Sequence, residues 1–279
     1  MAIIYAEATL TGVLGAKPTS GPSMVRTSHC KYGTMMYFPH DTYIGVSLEK
    51  YGAYSEEETD FLCAATPVGG IVVEVGANIG CMTVPLAQKV GPAGHVLVFE
   101  PQRVIHQMLC GNLAINGLWN VSAERMALGA EEGIVCVPRV SYHAGGNFGA
   151  VSMQATDGES VPIVPLDKYH LPTLHLLKID VEGMELDVLR GATETINKFR
   201  PLIYCENDRP EKSEALLSYL TDTLKYDLYQ HWPMLYTKDN YRACEENVFP
   251  NTASMNVACI PHERAEEIKS NLPLLRKAA

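Results

Sequence analysis

The sequence predicts an α/β fold built on a mostly parallel sheet with helices on both faces, and three features carry that reading. Short continuous apolar runs recur at 70–75, 95–99, 174–179 and 201–205, as strands covered on both faces require. Stretches with apolar residues three or four apart separate them, and strand–helix alternation at this spacing resolves into right-handed parallel crossovers. Glycine, proline or carboxylate residues punctuate the ends of the runs, which marks where the chain turns.

Residues 1–30 are mixed and interrupted by Pro18, Gly21 and Pro22, so an arm or loosely packed cap is expected over 1–40. Strand-like pieces follow. Ser55 three residues ahead of Glu58 spells a capping box, which predicts a helix starting there and running into Phe61, Leu62 and Ala64. In that reading Glu56 and Glu57 serve only the helix terminus. The run 70–75 is a strand, residues 76–80 a glycine turn, and a helix extends to about Val90. A second strand at 95–99 is followed by a helix to about Asn116 and a weaker strand at 120–124.

The rhythm breaks over 130–170, where an added strand at 133–137, a glycine-rich loop at 142–149 and a short strand at 161–164 read as an inserted loop and hairpin. The buried strand 174–179 leads into one helix carrying Leu186, Leu189, Ala192 and Ile196. A strand at 201–205, a helix at 212–225 and closing strands at 226–230 and 255–260 complete the series. With no internal repeat and no low-complexity linker, one domain over 41–262 is expected, followed by a C-terminal helix over 263–279.

Composition narrows the class. Of 279 residues 47% are hydrophobic and 19% charged, below the ~25% usual for soluble proteins, so wholesale disorder is excluded. Lys and Arg number 22 against 32 Asp and Glu, a net charge of −10. That balance argues against a dedicated nucleic-acid binder, which needs clustered cations. The eight cysteines are scattered with no CxxC pair and read as reduced intracellular thiols rather than a disulfide framework. No stretch of ~18 uninterrupted apolar residues calls for a membrane span. The start lacks a basic segment followed by an apolar one, so no signal peptide is expected. A cytoplasmic protein without a membrane partner is the expectation.

Two motifs carry chemistry. In Val73-Glu74-Val75-Gly76-Ala77-Asn78-Ile79-Gly80 a strand meets a tight turn, where glycine lets a backbone approach a ligand and a helix terminus presents free N–H groups. The GxGxxG dinucleotide fingerprint is not met, because Glu74 and Ile79 stand where its first and third glycines belong. A carboxylate there repels a pyrophosphate and suits S-adenosylmethionine, which carries an ammonium and a sulfonium. Glu100, twenty residues beyond Gly80 in Phe99-Glu100-Pro101, stands where an acidic group accepts hydrogen bonds from both hydroxyls of an adenosine ribose. Met126, Ala127 and Leu128, after the third strand, are expected to meet the adenine. The second motif is Lys178-Ile179-Asp180-Val181-Glu182-Gly183-Met184-Glu185. Strand periodicity turns Lys178 and Asp180 to one face at the strand's carboxyl end, as a structural ion pair or as a pair facing the cofactor's reactive end. Glu206 ends the next strand, pointing into the same crevice.

Together Glu74–Gly80, Phe99-Glu100-Pro101, Lys178–Glu185 and Leu189-Arg190-Gly191-Ala192 resemble the FkbM-type methyltransferases, within the class I S-adenosylmethionine-dependent enzymes. The similarity extends upstream through Tyr51–Ser55 with Glu58 and downstream through Arg200-Pro201 to Glu206. It departs from the family in placing Glu74 where Asp is usual. The resemblance implies a seven-stranded Rossmann-like sheet and methyl transfer to hydroxyls of sugars, polyketides or other natural products. Glu74, Gly76, Ala77, Asn78, Ile79, Gly80, Glu100, Pro101, Met126, Ala127 and Asp180 are then the candidate cofactor contacts.

A hydroxyl acceptor benefits from a general base or a metal. Asp180, Glu182 and Glu206 are the candidate bases, Lys178 the group that orients Asp180 or steadies developing negative charge, and His143 the candidate histidine. The converging carboxylates also suit Mg²⁺ through oxygen ligands, although no spacing dictates it. The loop 142–149 is expected to fold over the cofactor, with Asn147, Phe148 and Tyr54 shaping the acceptor pocket. Trp232, Tyr236, Tyr241 and Phe249 either line a pocket or pack. The expected function is O-methylation of a small molecule or glycan. The alternatives are N-methylation of an amide or amine, including one on a peptide, and a non-catalytic cofactor-binding interaction module. An NAD-dependent oxidoreductase is disfavoured by the missing fingerprint. The amino-terminal arm can reach a second subunit of a homodimer.

Overall fold

A computed structural model of the chain describes residues 24–150, 157–266 and the backbone of 276–277. Residues 1–23 of the expected arm, and 267–275 with 278–279 of the expected C-terminal helix, lie outside the described residues. Among the described residues a 3-10 turn at His262–Arg264 leads into the helical residues Ala265 and Glu266, and Arg276–Lys277 form a two-residue strand.

The described chain opens with a hairpin, β1 (Arg26–Cys30) and β2 (Gly33–Tyr37), and continues through α1 (Ile44–Lys50) and α2 (Glu56–Ala65). Then come β3 (Ile71–Val75), α3 (Thr83–Val90), β4 (His95–Phe99), α4 (Arg103–Ile115) and β5 (Val121–Glu124). A small antiparallel insertion, β7 (Gly133–Pro138) and β8 (Gly158–Val164), closes on the two-residue β6 (Ala127–Leu128). The main chain path resumes with β9 (Leu176–Ile179), α5 (Glu185–Arg190), α6 (Thr193–Phe199), β10 (Leu202–Glu206) and α7 (Pro210–Ser218). It ends in β11 (Tyr226–His231), β12 (Asn256–Pro261) and β13 (Arg276–Lys277).

The sheet is α/β and Rossmann-like: seven strands in the order β11-β12-β10-β9-β3-β4-β5, with β13 added beside β11. Strands β5, β4, β3, β9 and β10 run parallel, and β12 is antiparallel to both neighbours. The chain winds outward from β3 to β5 and then returns to place β9 on the other side of β3. That reversal opens a crevice at the carboxyl ends of β3 and β9.

Strand alternation divides the core. Val72, Val98, Leu176 and Leu202 face α2, α3, α4 and the β1–β2 hairpin, while Val73, Phe99, Leu177 and Ile203 face α5, α6 and α7. Covering on both faces is why these strands read as continuous apolar runs. The hairpin is pinned to α4 by two asparagines. Asn112 both accepts from Met36 N–H at 2.7 Å and donates to Met36 carbonyl at 3.0 Å, and Asn116 treats Thr34 the same way.

The helix expected to run unbroken past Ile196 is two helices. At Gly191 an added Cβ would lie 2.0 Å from the Gly129 carbonyl oxygen, so the chain bends there to pack on the loop after β6. Asp167 then caps α6 through the N–H groups of Glu194 and Thr195. The eight cysteines are all free thiols. Among the described residues no helix is long and apolar enough to cross a membrane.

Candidate active site

Strand register sets Glu74, Lys178 and Tyr204 side by side across β3, β9 and β10 on the face toward α2. Lys178 is 3% exposed, and a buried ammonium is stable only among counterions. It donates to Asp180 Oδ2 at 3.2 Å and lies 3.8 Å from Glu74 Oε1. Burial alone would lower its pKa, but Asp180, Glu74 and Glu58 outweigh that and hold it above the ordinary lysine value. Glu74 also accepts from the Thr83 hydroxyl at 2.6 Å.

The turn after β3 is closed by its own hydrogen bonds. Phe99 carbonyl accepts from both Gly76 and Ala77, Glu100 from Asn78, the Asn78 side chain from Ile79, and Ala77 carbonyl from Gly80. The expectation of free N–H groups in this turn is therefore corrected: every N–H from 76 to 80 has an acceptor within the protein, and α3 begins only at Thr83. Gly76 has φ +84°, and a Cβ on it would sit 1.8 Å from Asp180 carbonyl. Its glycine brings the two strand-end loops into contact.

Glu100 accepts Asn78 N–H at 3.0 Å on one oxygen and Gln102 N–H at 2.9 Å on the other. It is buried, which lifts its carboxyl to about 7 against the opposing pull of those two bonds. Glu206, at the end of β10, has an oxygen with no partner. Burial first, then Asp180, Asp208 and Glu182, push its carboxyl strongly upward. Glu182 is ion-paired with Arg209.

These groups surround a cavity of about 570 Å³ at the carboxyl ends of the parallel strands. Its carboxylates, Asp180, Glu206 and Glu100, suit a ligand that carries positive charge and hydroxyl donors. The apolar residues Met126, Ala127, Leu128 and Val137 also line it. Among the described residues no group of three or more His, Cys, Asp or Glu side chains is arranged to hold a metal ion.

Residues 74–242 match the model of the methyltransferase FkbM domain. The chain belongs to the FkbM methyltransferase family. It is 27% identical over 151 residues to Methyltransferase 1 of Beauveria bassiana, an alignment covering 46% of this chain and 60% of that protein. It is 28% identical over 190 residues to Methyltransferase sdnD of Sordaria araneosa, covering 55% and 73%. A crystal structure of Methyltransferase FkbM from Methylobacillus flagellatus KT is similar at a TM-score of 0.45 and 17% identity, covering 68% of this chain and 43% of that one. The chain thus spans well under two thirds of the bacterial protein and about three fifths of the first fungal one.

In this FkbM-family chain the structure brings Glu74, Gly76, Ala77, Asn78, Glu100, Pro101, Met126, Ala127, Lys178, Asp180, Glu182, Glu206, Asn147 and Tyr54 to the one cavity. Four candidates lie elsewhere. Ile79 is in the core, and Gly80 packs toward Leu109. His143 is exposed on the loop and does not line the cavity. Phe148 is buried against Phe38 and Tyr142, with ring centroids 5.5 and 5.0 Å away, so it anchors the loop rather than shaping a pocket. Asp41 fixes the same loop by accepting Phe148 N–H at 3.0 Å. Of the four aromatic residues after β11, Trp232 and Tyr241 are exposed, and Tyr236 and Phe249 pack on Tyr51.

Gln102, Arg209 and Glu58 are among the lining residues that escaped the sequence reading. Gln102 follows Glu100-Pro101 and donates to Phe148 carbonyl, leaving its amide oxygen unpartnered. Arg209 lies in the loop after β10, where the carboxyl-end rule that found Glu206 applies equally. Glu58 was hidden by its capping-box spelling. The helix starts where that spelling predicts, but Ser55 has φ +46° and makes no side-chain cap. Its hydroxyl donates instead to the Glu58 carboxylate at 2.9 Å, and Glu58 lines the cavity.

Proposed function

We propose that this chain transfers a methyl group from S-adenosylmethionine to a hydroxyl of a small-molecule or glycan acceptor. The observation that carries this reading is the cavity's arrangement of carboxylates. Glu100 stands at the end of β4, hydrogen-bonded to the β3 turn through Asn78 N–H, and lines one cavity with Asp180 and Glu206. The orphaned Glu206 oxygen is a buried acceptor with no partner inside the protein, and an ammonium or sulfonium satisfies it. S-adenosylmethionine supplies an already activated methyl group. The chain's own task is then to align the acceptor and exclude water.

Glu100 holds the ribose hydroxyls, and Met126, Ala127 and Leu128 offer the adenine an apolar face. Asp180, oriented by Lys178, attracts the cationic end. Tyr54 and Asn147 border the space left for the acceptor. Titration calorimetry with S-adenosylmethionine tests the binding half: measurable binding is expected, and none at saturating protein would sink the reading. Methyl-tritiated S-adenosylmethionine offered with a panel of sugars, phenols and peptide amines tests the transfer half. Label in the sugar or phenol products supports oxygen transfer, and label confined to the amines replaces it with nitrogen transfer. Binding without any labelled product points to an interaction module.

A further inference from the structure

Methyl transfer to a hydroxyl sets a proton free, and most carboxylates on the cavity wall are engaged. Glu74 is held between Thr83 and Lys178, Glu100 takes a backbone N–H on each oxygen, Asp180 is bonded to Lys178, and Glu182 to Arg209. Glu206 sits among Asp180, Asp208, Glu182 and Glu185, which together with burial push its carboxyl upward, and its unpartnered oxygen is the one assigned above to the cofactor's cationic end.

Glu58 differs from all of these. It is 3% exposed at the start of α2 and lines the cavity on the same face as Glu74, Lys178 and Tyr204. Its one hydrogen bond comes from a neutral donor, the Ser55 hydroxyl on Oε2, which leaves Oε1 toward the cavity. The charged and titratable groups facing it are Lys178 on β9, Asp180 just after it, Glu74 on β3, Tyr204 on β10 and Tyr54 just ahead of α2. Tyr54 feels Glu58, Asp180 and Glu206 together, and its phenol stays protonated because burial and those carboxylates all oppose its ionisation. The phenol is thus a fixed donor beside Glu58 on the wall that borders the acceptor space.

We propose, building on the methyl-transfer reading above, that Glu58 is a further catalytic residue, whose carboxylate takes the acceptor's proton. As the acceptor oxygen gains the methyl carbon, its O–H bond breaks and the proton passes to Oε1 of Glu58. The electron pair of the broken sulfur–carbon bond stays on sulfur. Glu58 lies ahead of the segment matched to the family model, 74–242, so the base comes from the helix that covers the site and not from the strand ends. Burial raises the Glu58 carboxyl and Lys178 draws it back, leaving it at about 7, and a base is most effective when its pKa lies near the working pH.

The test uses the full chain, E58Q and E58D, with S-adenosylmethionine and the uncharged S-adenosylhomocysteine as probes. Calorimetry in buffers of different ionisation enthalpy counts protons released on binding at slightly acid pH. The native chain is expected to release more protons with the cationic probe than with the neutral one, and E58Q is expected to lose that difference while binding S-adenosylmethionine within a few-fold. Tritium transfer to the acceptor panel is expected to fall about 100-fold or more in E58Q and to lose the acid limb of its pH profile. E58D keeps a limb, displaced in pH, and it covers the case in which E58Q does not fold. Unchanged proton release in E58Q, or a native acid limb in either variant, overturns the proposal. A native chain that binds neither probe overturns the methyl-transfer reading itself, which is a separate result.

Discussion

Two groups of elements line the cavity, and they are held in different ways. On the side of β3 and β4 the fixing is done by backbone. One carbonyl, that of Phe99, accepts two N–H groups, Glu100 ties down two more, and Asp180 N–H bonds to Val75 carbonyl. On the side of α2, β10 and the loop after β9 the surface is made of side chains with few partners. Glu58 has a single hydroxyl donor, Glu206 keeps an unpartnered oxygen, and Glu182 depends on the partly exposed Arg209. A wall of closed backbone bonds has one geometry and suits an invariant ligand. A wall of under-satisfied side chains changes protonation and shape with what enters it, and it is the place where an acceptor is chosen.

Lys178 joins the two walls, so its loss should have the largest effect. Lys178→Met leaves Glu74 buried without its counterion, which costs about 3–5 kcal/mol, measured as a shift of the urea unfolding curve. A stability within error of the native chain would mean that the walls are independent. Gly76→Ala attacks the backbone wall alone. The positive φ and the clash with Asp180 carbonyl should cost about 1–3 kcal/mol and abolish cofactor binding by calorimetry, since the two strand-end loops must part.

Glu100→Gln replaces one of the two acceptor oxygens by a donor and removes the charge. It should weaken S-adenosylmethionine by about 10- to 100-fold, the equivalent of ~1.5–3 kcal/mol for a charged hydrogen bond, with a smaller loss of stability. If the ribose lies elsewhere, affinity will not move.

The pH dependence reads both walls together without mutation. Glu58 and Glu100 are raised to about 7 from the ordinary carboxyl value of 4.5. Between those values the folded chain binds more protons than the unfolded one, so these groups make stability fall as pH rises toward 7. Thermal melts of the ligand-free chain should show that decline, and saturating S-adenosylmethionine, a cation, should flatten it. His143→Ala should do least. An exposed loop side chain off the cavity is expected to change stability by no more than about 0.5 kcal/mol and to leave turnover within two-fold, checked by the tritium assay.

Legibility in the sequence followed hydrogen-bonding range. The strands were plain because both faces are buried and the apolar runs are unbroken. Glu74, Glu100, Asp180 and Glu206 were plain because each sits at the end of such a run, and strand ends converge by topology. The division into α5 and α6 was not, because the bend at Gly191 is imposed by Gly129, which is distant in sequence. His143 and Phe148 were given site roles as members of one glycine-rich loop. Their places diverged because Phe38 and Tyr142 enclose the Phe148 ring while His143 is exposed. Glu58 was misread for a local reason: a Ser-x-x-Glu spelling serves a helix cap in most settings, whereas here Ser55 has a positive φ and bonds to the Glu58 carboxylate, which lines the cavity.

By itself, the sequence determined the α/β class, the order of the parallel strands' apolar runs, the family and the carboxylates that close the central strands. Those properties rest on periodicity and on short-range motifs, which the chain carries wherever its segments end up. Tertiary structure alone decided which polar groups are already spoken for. The turn after β3 offers no free N–H because β4 brings Phe99 and Glu100 against it, and Lys178 is a fixed counterion because β3 and β9 are neighbours in register. Glu58 became a site residue because α2 lies over that same face. Hydrogen-bond satisfaction and electrostatic environment are properties of who is adjacent in space, and no spacing along the chain encodes them.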